Sequence, residues 1–217
     1  MDTGFSLAAL REGLMFYIVL IVSLCIHEWA HAFTADRLGD DTPRRDGRVT
    51  LNPIAHMDLF GSVIFPLVCI FVIPGGFLFG WGKPVMINPS NFADRKRGDV
   101  ITTLAGPMSN LALALLAAVI GGIVFRSEPR ALELVQLVLT LNVALAVFNL
   151  IPLPPLDGGV LMRHAVGMSE EMFYNISRWS MIVLLIAINI PPIRQLLGMI
   201  MAIVSWPFAM LFQLVAG

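Results

Sequence analysis

Long stretches without a charged residue constrain this chain more than any other feature. Val100 to Phe125 contains no Asp, Glu, Lys or Arg over 26 residues, and Leu59 to Gly80 contains none over 22. An apolar run of about 18 residues or more is long enough to cross a bilayer as a helix. Since 57% of the residues are hydrophobic, 13% are charged and the mean hydropathy is +0.81, the composition predicts an integral membrane protein.

The order of the runs predicts an all-α polytopic membrane protein with about five transmembrane helices. Besides Val100–Phe125, we expect helices over four runs, namely Leu14 to about Leu38, Leu134 to Ile151, about Met172 to Ile190, and Gln195 to Gly217. The start of the chain, Met1 to Ser6, contains neither a basic n-region nor a convincing cleavage site. We therefore expect the first run to be retained as a helix and not removed as a signal peptide.

Leu59 to Gly80 is long enough to cross the membrane, but prolines and glycines interrupt it. A broken or re-entrant segment fits this pattern at least as well as a crossing helix. On either side, Val49–Leu51 and Val85–Ile87 are β-prone, and we expect short extended strands there. The charged cluster Asp94–Asp99 is predicted to be a solvated turn next to the membrane.

An H-E-x-x-H sequence, His27-Glu28-Trp29-Ala30-His31, lies at the end of the first apolar run. On a helix the two histidines, four residues apart, project from one face and can reach one metal ion, while Glu28 lies close enough to handle a proton. This pattern is a zinc hydrolase signature. The structural alternative is a hydrogen-bonded pair of histidines at a helix end, which is costly in an apolar run unless the groups are paired or metal-bound.

A catalytic zinc site usually has three protein ligands, so the two histidines need a partner. Of the fifteen acidic residues, Glu28 and Asp157 alone lie flanked by apolar sequence on the membrane side. Asp157 follows a proline-rich stretch that forbids a regular helix at the end of the Leu134 run. It is the predicted third ligand, and a turn aspartate before two glycines is the structural alternative. His56 could approach the metal or orient a neighbour, although a loop histidine at the membrane surface is the favoured interpretation.

Topology provides an independent test of this metal site. Suppose that the first helix runs from outside to inside, so that His27 and His31 lie near the inner face. Asp157 then reaches the depth of the histidines only if the Leu134 helix also runs inward. This requires that the Val100 helix runs outward and that Leu59–Gly80 returns to the face it entered. The side that carries the histidines then has ten basic residues, which are Arg37, Arg44, Arg45, Arg48, Lys83, Arg95, Lys96, Arg97, Arg163 and Arg178. The opposite side has four, which are Arg11, Arg126, Arg130 and Arg194. By the positive-inside rule, the histidine side is cytosolic.

The chain resembles the site-2 protease family of intramembrane zinc metalloproteases. The resemblance rests on His27–His31, on Ala105-Gly106-Pro107-Met108-Ser109-Asn110, and on the stretch from Asn149 to Gly159, in the order in which the family carries these motifs. The stretch Asn52–Asp58 and the sequence Trp81-Gly82-Lys83-Pro84 are similar to the compact prokaryotic branch that lacks PDZ and CBS domains. We accordingly expect residues 1–217 to form a single metalloprotease domain, with a catalytic core over about 14–160 and C-terminal helices over 172–217.

The resemblance implies one zinc ion per chain, with His27, His31 and Asp157 as ligands and Glu28 as the catalytic acid and base. It also suggests that Asn149 binds substrate or supports the site. The implied function is an endopeptidase of the cell membrane, with its active site toward the cytosol. It would cleave membrane-protein substrates in or near their transmembrane segments, as in regulated intramembrane proteolysis.

Two other functions remain open from the sequence. Other membrane H-E-x-x-H proteases take a glutamate on a later helix as third ligand, but Glu133 is expected at the opposite face and Glu170 and Glu171 in a loop. A metal transporter would need more polar residues along one path than the last two runs provide. The net charge of −1 gives no basis for a nucleic-acid partner.

Overall fold

The computed structural model describes residues 7–72, 80–124 and 128–217, and it is helical almost throughout. The predictions for the first six residues, for the middle of the Leu59–Gly80 run and for Arg126 lie outside the described residues. The α-helices follow one another in the order α1 (Leu7–Arg37), α2 (Thr42–Arg45), α3 (Phe65–Val72), α4 (Arg95–Val124), α5 (Pro129–Asn149), α6 (Asp157–Val166), α7 (Glu170–Ala187) and α8 (Pro191–Ala216).

Four of these helices, α1, α4, α5 and α8, are long and apolar enough to cross a membrane. The chain is therefore an all-α, multi-pass membrane protein, as predicted. Helix α7 covers most of the expected Met172–Ile190 run but has only 18 residues and carries Glu170, Glu171 and Arg178. Its crossing stays a prediction, as does the division of the chain into a catalytic core and C-terminal helices.

Helix α4 occupies the centre of the bundle and packs against α1, α5 and α8. Alanines 114 and 118 on α4 are fully buried against Leu139 and Val143 of α5 and against side chains of α8. Gly121 lets α5 approach closely, because a β-carbon there would collide with Val135. Small residues in a membrane helix permit such close packing, which compensates for the absence of a hydrophobic driving force in lipid.

The two described ends of the Leu59–Gly80 run lie beside each other. A π-helical segment, Leu59–Ile64, leads into α3, and together they cover 14 residues, or about 21 Å of helix, which is shorter than a bilayer core. Beyond residues 73–79 the chain is again beside its starting point, since the Trp81 amide donates to the Gly61 carbonyl at 3.2 Å. The indole covers Gly61 so closely that a β-carbon would not fit. The re-entrant alternative is thus the one that the described residues favour.

The predicted short strands are not present as strands among the described residues. An isolated antiparallel bridge between Met57 and Gly82 is the β-pairing found there. Val85–Ile87 has no regular secondary structure and no neighbouring strand among the described residues. The physical reason is that side chains of the α1 region bind its backbone instead: Glu28 accepts from the Val85 amide at 3.1 Å and Asp40 from the Asn88 amide at 2.7 Å.

The expectation of a solvated turn over Asp94–Asp99 was wrong for most of its length. Helix α4 already begins at Arg95, because the Asp94 carboxylate accepts from the Arg97 amide at 3.0 Å in the first turn. Asp99 is buried and accepts hydrogen bonds from Arg163 and His164 of α6, each at 2.7 Å. The cluster therefore contains an ion pair that fastens α6 to α4.

Asp40 connects the end of α1 to the segment around Asn88. Its fully buried carboxylate accepts hydrogen bonds from the Thr42 amide and hydroxyl, the Asn88 amide and the Asn91 carboxamide. Burial alone would raise the pKa of this carboxyl, but the hydrogen bonds outweigh it and hold the pKa below its ordinary value. A lowered pKa in the folded state means that Asp40 stabilises the fold above its unfolded pKa and loses this contribution as pH falls.

We expect Asp40→Asn to lower the free energy of unfolding at pH 7 by about 1–3 kcal/mol, because the new amide nitrogen cannot accept from Asn88. The difference from wild type should shrink as pH falls below 3.8, the ordinary value for an aspartate, since protonated Asp40 then resembles asparagine. Thermal melting of both proteins in detergent across this range measures the effect. A difference that is constant with pH would contradict the role given to the ionised carboxylate.

Candidate metal centre

Three predicted ligand side chains meet inside the bundle. His27 and His31 lie one turn apart on α1, and Asp157 is the first residue of α6. The two Nε2 atoms are 3.1 Å apart, and the Asp157 carboxylate oxygens lie 3.3 Å from His27 Nε2 and 3.5 Å from His31 Nε2. These three side chains form the group that could hold a metal ion when His, Cys, Asp and Glu are considered among the described residues.

The Nδ1 nitrogen of each imidazole lies within hydrogen-bond distance of an acceptor. His27 Nδ1 lies 2.6 Å from the Asn110 Oδ1 atom, and His31 Nδ1 lies 2.7 Å from the Thr102 carbonyl oxygen. A carbonyl oxygen only accepts, so both Nδ1 atoms must carry the proton. Both Nε2 atoms therefore direct a lone pair into the cluster. Metal-bound histidines commonly show this arrangement, in which the second nitrogen fixes the tautomer.

These distances and lone pairs fit a bound cation. Two Nε2 lone pairs and a carboxylate repel one another at 3.1–3.5 Å unless a positive charge lies between them. In tetrahedral zinc sites with bonds of about 2.0–2.1 Å, neighbouring ligand atoms are about 3.3 Å apart. In addition, Asp157 Oδ2 is buried without a hydrogen-bond partner among the described residues. The chemistry of this donor set, two imidazoles and one carboxylate, is that of a catalytic zinc site.

Asp157 reaches the histidines because the chain folds tightly between α5 and α6. The proline-rich loop returns over the first turn of α6, and the Gly159 amide donates to the Leu156 carbonyl at 2.9 Å. A β-carbon on Gly158 would collide with the carbonyls of Leu150 and Ile151, and one on Gly159 would collide with Pro154. The Asp-Gly-Gly sequence thus combines a ligand with two residues small enough to pack under the loop.

Helix α4 forms the floor of the cluster. Gly106 faces both imidazoles, and a β-carbon there would lie under 3.0 Å from His31 Nε2. The next residue, Pro107, cannot donate to the carbonyl of Thr103, so the helical hydrogen bonding is interrupted beside the Thr102 carbonyl that binds His31. Gly106 therefore creates the space that the two imidazoles occupy.

Glu28 is held by backbone and by a cation. Its Oε2 atom accepts from the Val85 amide at 3.1 Å and lies 3.9 Å from the Arg48 guanidinium. Arg48 is buried and also donates to the Lys83 carbonyl. Glu28 is thus linked directly to the segment Val85–Ile87.

Two further predicted site residues, His56 and Asn149, are not part of the three-residue cluster. His56 is buried, but its Nε2 bonds the Thr50 carbonyl at 2.8 Å, and the ring is not part of the three-residue cluster. Burial lowers the pKa of its imidazole, so the ring is neutral at pH 7. Asn149 lies at the end of α5 and donates to the carbonyl of Leu145 at 3.0 Å. Roles for both residues stay predictions.

The structure adds functional residues that sequence reasoning did not single out. Asn110 and the Thr102 carbonyl fix the histidine tautomers, and Arg48 lies beside Glu28. The available signal was a polar side chain inside an uncharged run, which at membrane depth points to a function or a helix contact. Asn142 is a further polar side chain of this kind, and it bridges helices through its hydrogen bonds to Asn110 of α4 and Ser23 of α1.

Comparison with known proteins agrees with this geometry. The profile described as peptidase family M50 matches residues 126–188, which include Asp157. A Bacillus subtilis protein named "Putative zinc metalloprotease YwhC" is 38% identical over 156 residues, which cover 67% of this chain and 67% of that protein. The chain belongs to peptidase family M50.

Mycobacterial relatives give the same assignment. Proteins named "Putative zinc metalloprotease Rip2" are 31% identical in Mycolicibacterium smegmatis, over 81% of this chain and 66% of the relative, and 30% identical in Mycobacterium tuberculosis, over 87% and 70%. The chain thus aligns with about two thirds of the length of these relatives. No solved structure gives a significant match.

As an M50 member, the chain is a zinc metalloprotease of a family whose members act inside the membrane. The site-2 protease resemblance is therefore confirmed. The transporter alternative is not supported by these relatives. A glutamate as third ligand is also disfavoured, because the exposed Glu133 pairs with Arg11 at 3.8 Å near the start of α5, away from the histidines.

Replacing Gly106 by alanine should abolish zinc binding, because the new methyl group would displace both imidazoles. We expect the zinc content of purified Gly106→Ala protein to fall at least about tenfold, a loss typical of disturbed metal surroundings. Elemental analysis by mass spectrometry measures this. Gly198→Ala on α8, where a β-carbon meets open space, is the matched control and should retain zinc. Full zinc occupancy in the Gly106→Ala protein would contradict the packing described here.

Proposed function

We propose that His27, His31 and Asp157 hold one catalytic zinc ion and that Glu28 is the general acid and base of peptide hydrolysis. The observation that carries this proposal is the buried cluster of two tautomer-fixed imidazoles and one unpartnered carboxylate oxygen. Glu28 is adjacent to His27 on the same helix and so lies at the edge of the cluster. These are the parts that hydrolysis of an amide bond requires.

Bound zinc would supply Lewis acidity, which polarises a carbonyl and makes water nucleophilic near neutral pH. Glu28 then accepts a proton from the attacking water and returns it to the leaving amine. The Val85 amide holds Oε2 of Glu28, which leaves Oε1 for this proton transfer. Close packing of Gly82 against the Glu28 side chain further restricts the position of the carboxylate.

The proposed substrates are membrane proteins that are cut in or near a transmembrane segment. A substrate helix hides its carbonyls in hydrogen bonds and must unwind before attack. The segment Val85–Ile87 is suited to hold the unwound chain by β-addition. It has no regular secondary structure, the Met86 side chain is 66% exposed, and the Met86 backbone has no hydrogen-bond partner among the described residues.

We further propose that the site faces the cytosol and acts in regulated intramembrane proteolysis. The cytosolic orientation rests on the ten basic residues assigned to the histidine side of the membrane against four on the other. The return of the Leu59–Gly80 run beside Gly61 supports the topology that this count assumes. Within this arrangement Asn149 and His56 are proposed as supporting residues. Asn149 ends α5, where the loop to Asp157 begins, and the His56 carbonyl lies beside Gly82.

Glu28→Gln should lower the rate of peptide cleavage by about 10²–10⁴-fold, because glutamine cannot take a proton from water. Zinc content should stay at the wild-type level, since no proposed ligand is changed. The measurement is cleavage of a transmembrane reporter in detergent or vesicles, together with metal analysis of the same sample. Asp157→Ala is the companion variant and should lose zinc as well as activity.

Two results would argue against these roles. Cleavage by Glu28→Gln at a wild-type rate would remove Glu28 from the chemistry. Retention of zinc by Asp157→Ala would remove Asp157 from the ligand set and leave the histidines without their proposed partner.

Met86→Pro should lower cleavage about tenfold while zinc content is unchanged, because proline has no amide hydrogen to offer a substrate strand. Met86→Ala is the matched control, since it shortens the same side chain and keeps the amide. The assay is the same reporter cleavage, measured at several substrate concentrations. Equal activity of the two variants would show that substrate does not pair with this backbone.

A further inference from the structure

Behind the metal centre lies a chain of buried polar side chains that the chemistry above does not use. Ser23 of α1, Asn110 of α4 and Asn142 of α5 are each 2% exposed or less, in the centre of the three core helices. Polar groups at this depth are costly unless they are fully hydrogen-bonded. Their orientation therefore has to satisfy every donor and acceptor at once.

Asn142 has its orientation set by two fixed acceptors. Its Nδ2 donates to the Val138 carbonyl at 2.8 Å and to the Ser23 hydroxyl at 3.0 Å. The Oδ1 atom is thereby turned toward α4, where it accepts from Asn110 Nδ2 at 2.9 Å. A flip of this amide would place its NH₂ group against the NH₂ group of Asn110 and its oxygen against the Val138 carbonyl.

Asn142 and the Ser23 carbonyl together orient Asn110. The Asn110 Nδ2 atom donates to both, so Oδ1 points to the His27 ring at 2.6 Å. An oxygen at that place requires a proton on His27 Nδ1 and leaves the Nε2 lone pair for the metal. The tautomer of His27 is thus determined across two helices.

We propose that Asn142 is a positioning residue for the zinc site, acting through Asn110 to keep His27 in its metal-binding tautomer. Asn142 itself touches none of the proposed ligands. The proposal rests on the assignment of His27 as a ligand, and it adds a function to a residue that would otherwise be only a contact between helices. Partners that orient a ligand from outside the coordination sphere typically change metal affinity 10–100-fold when they are removed.

The experiment measures how fast zinc leaves the folded, metal-loaded protein in detergent when a chelator is in excess. Asn142→Leu keeps the branching of the side chain but removes the acceptor for Asn110, and we expect zinc to leave about 10–100-fold faster. Asn142→Asp should restore slow release, because a buried carboxyl is protonated and keeps the acceptor for Asn110 together with one of the two donors of the amide. Val143→Ala, at a fully buried neighbouring site on α5, is the matched packing control and should release zinc at the wild-type rate.

A purely structural role for Asn142 predicts different results. The proposal is wrong if Asn142→Leu releases zinc at the wild-type rate, if Asn142→Asp releases it as fast as Asn142→Leu, or if Val143→Ala accelerates release equally. Should Asn142→Leu not fold, Asn142→Ala compared with Val143→Ala decides the question, since both leave a cavity and only one removes the acceptor.

A His27→Ala protein separates failure of this proposal from failure of the ligand assignment. If His27→Ala still binds zinc as wild type does, the ligand assignment is wrong whatever Asn142 does. If His27→Ala has lost zinc and Asn142→Leu releases it normally, the ligand assignment stands and only the role of Asn142 is refuted.

Discussion

The close approach of His27, His31 and Asp157 is the interaction on which the rest of the structure depends. Two lone pairs and a carboxylate meet within 3.5 Å in a largely buried cluster. Such an arrangement is unfavourable without a cation, and it needs firm support from outside. Three core helices and the start of α6 contribute that support, so the packing of the bundle determines the geometry of the site.

Helix α4 contributes most of this support although it carries none of the proposed ligands. Along one face it presents the Thr102 carbonyl, the bare backbone of Gly106 and the Asn110 carboxamide to α1. At its start, Asp99 binds Arg163 and His164 and so fixes α6, the helix that begins with Asp157. Contact with α1 therefore explains both the glycine and the asparagine in this apolar helix.

Sequence reasoning predicted the site where local rules were enough. Residues four apart on a helix share a face whatever the fold, and this rule predicted His27 and His31 as ligands. Asp157 was predicted as the third ligand from its position in apolar sequence at membrane depth. The contacts of Asn110 and Asp99 could not be predicted, because their partners lie 83 and 64 residues away and depend on how each helix is rotated. The strands were wrong for a related reason, because the Val85 and Asn88 amides bind carboxylates of the α1 region and not a neighbouring strand.

The carboxylates of Glu28 and Asp40 connect the segment Val85–Asn88 to α1, the helix that bears the H-E-x-x-H motif. Glu28 accepts from the Val85 amide, and Asp40, which lies just past the end of α1, accepts from the Asn88 amide. Any tilt or rotation of α1 must therefore carry Met86 along with Glu28. For a substrate bound as proposed, the distance between its backbone and the Glu28 carboxylate is thus preserved even when the surrounding helices shift.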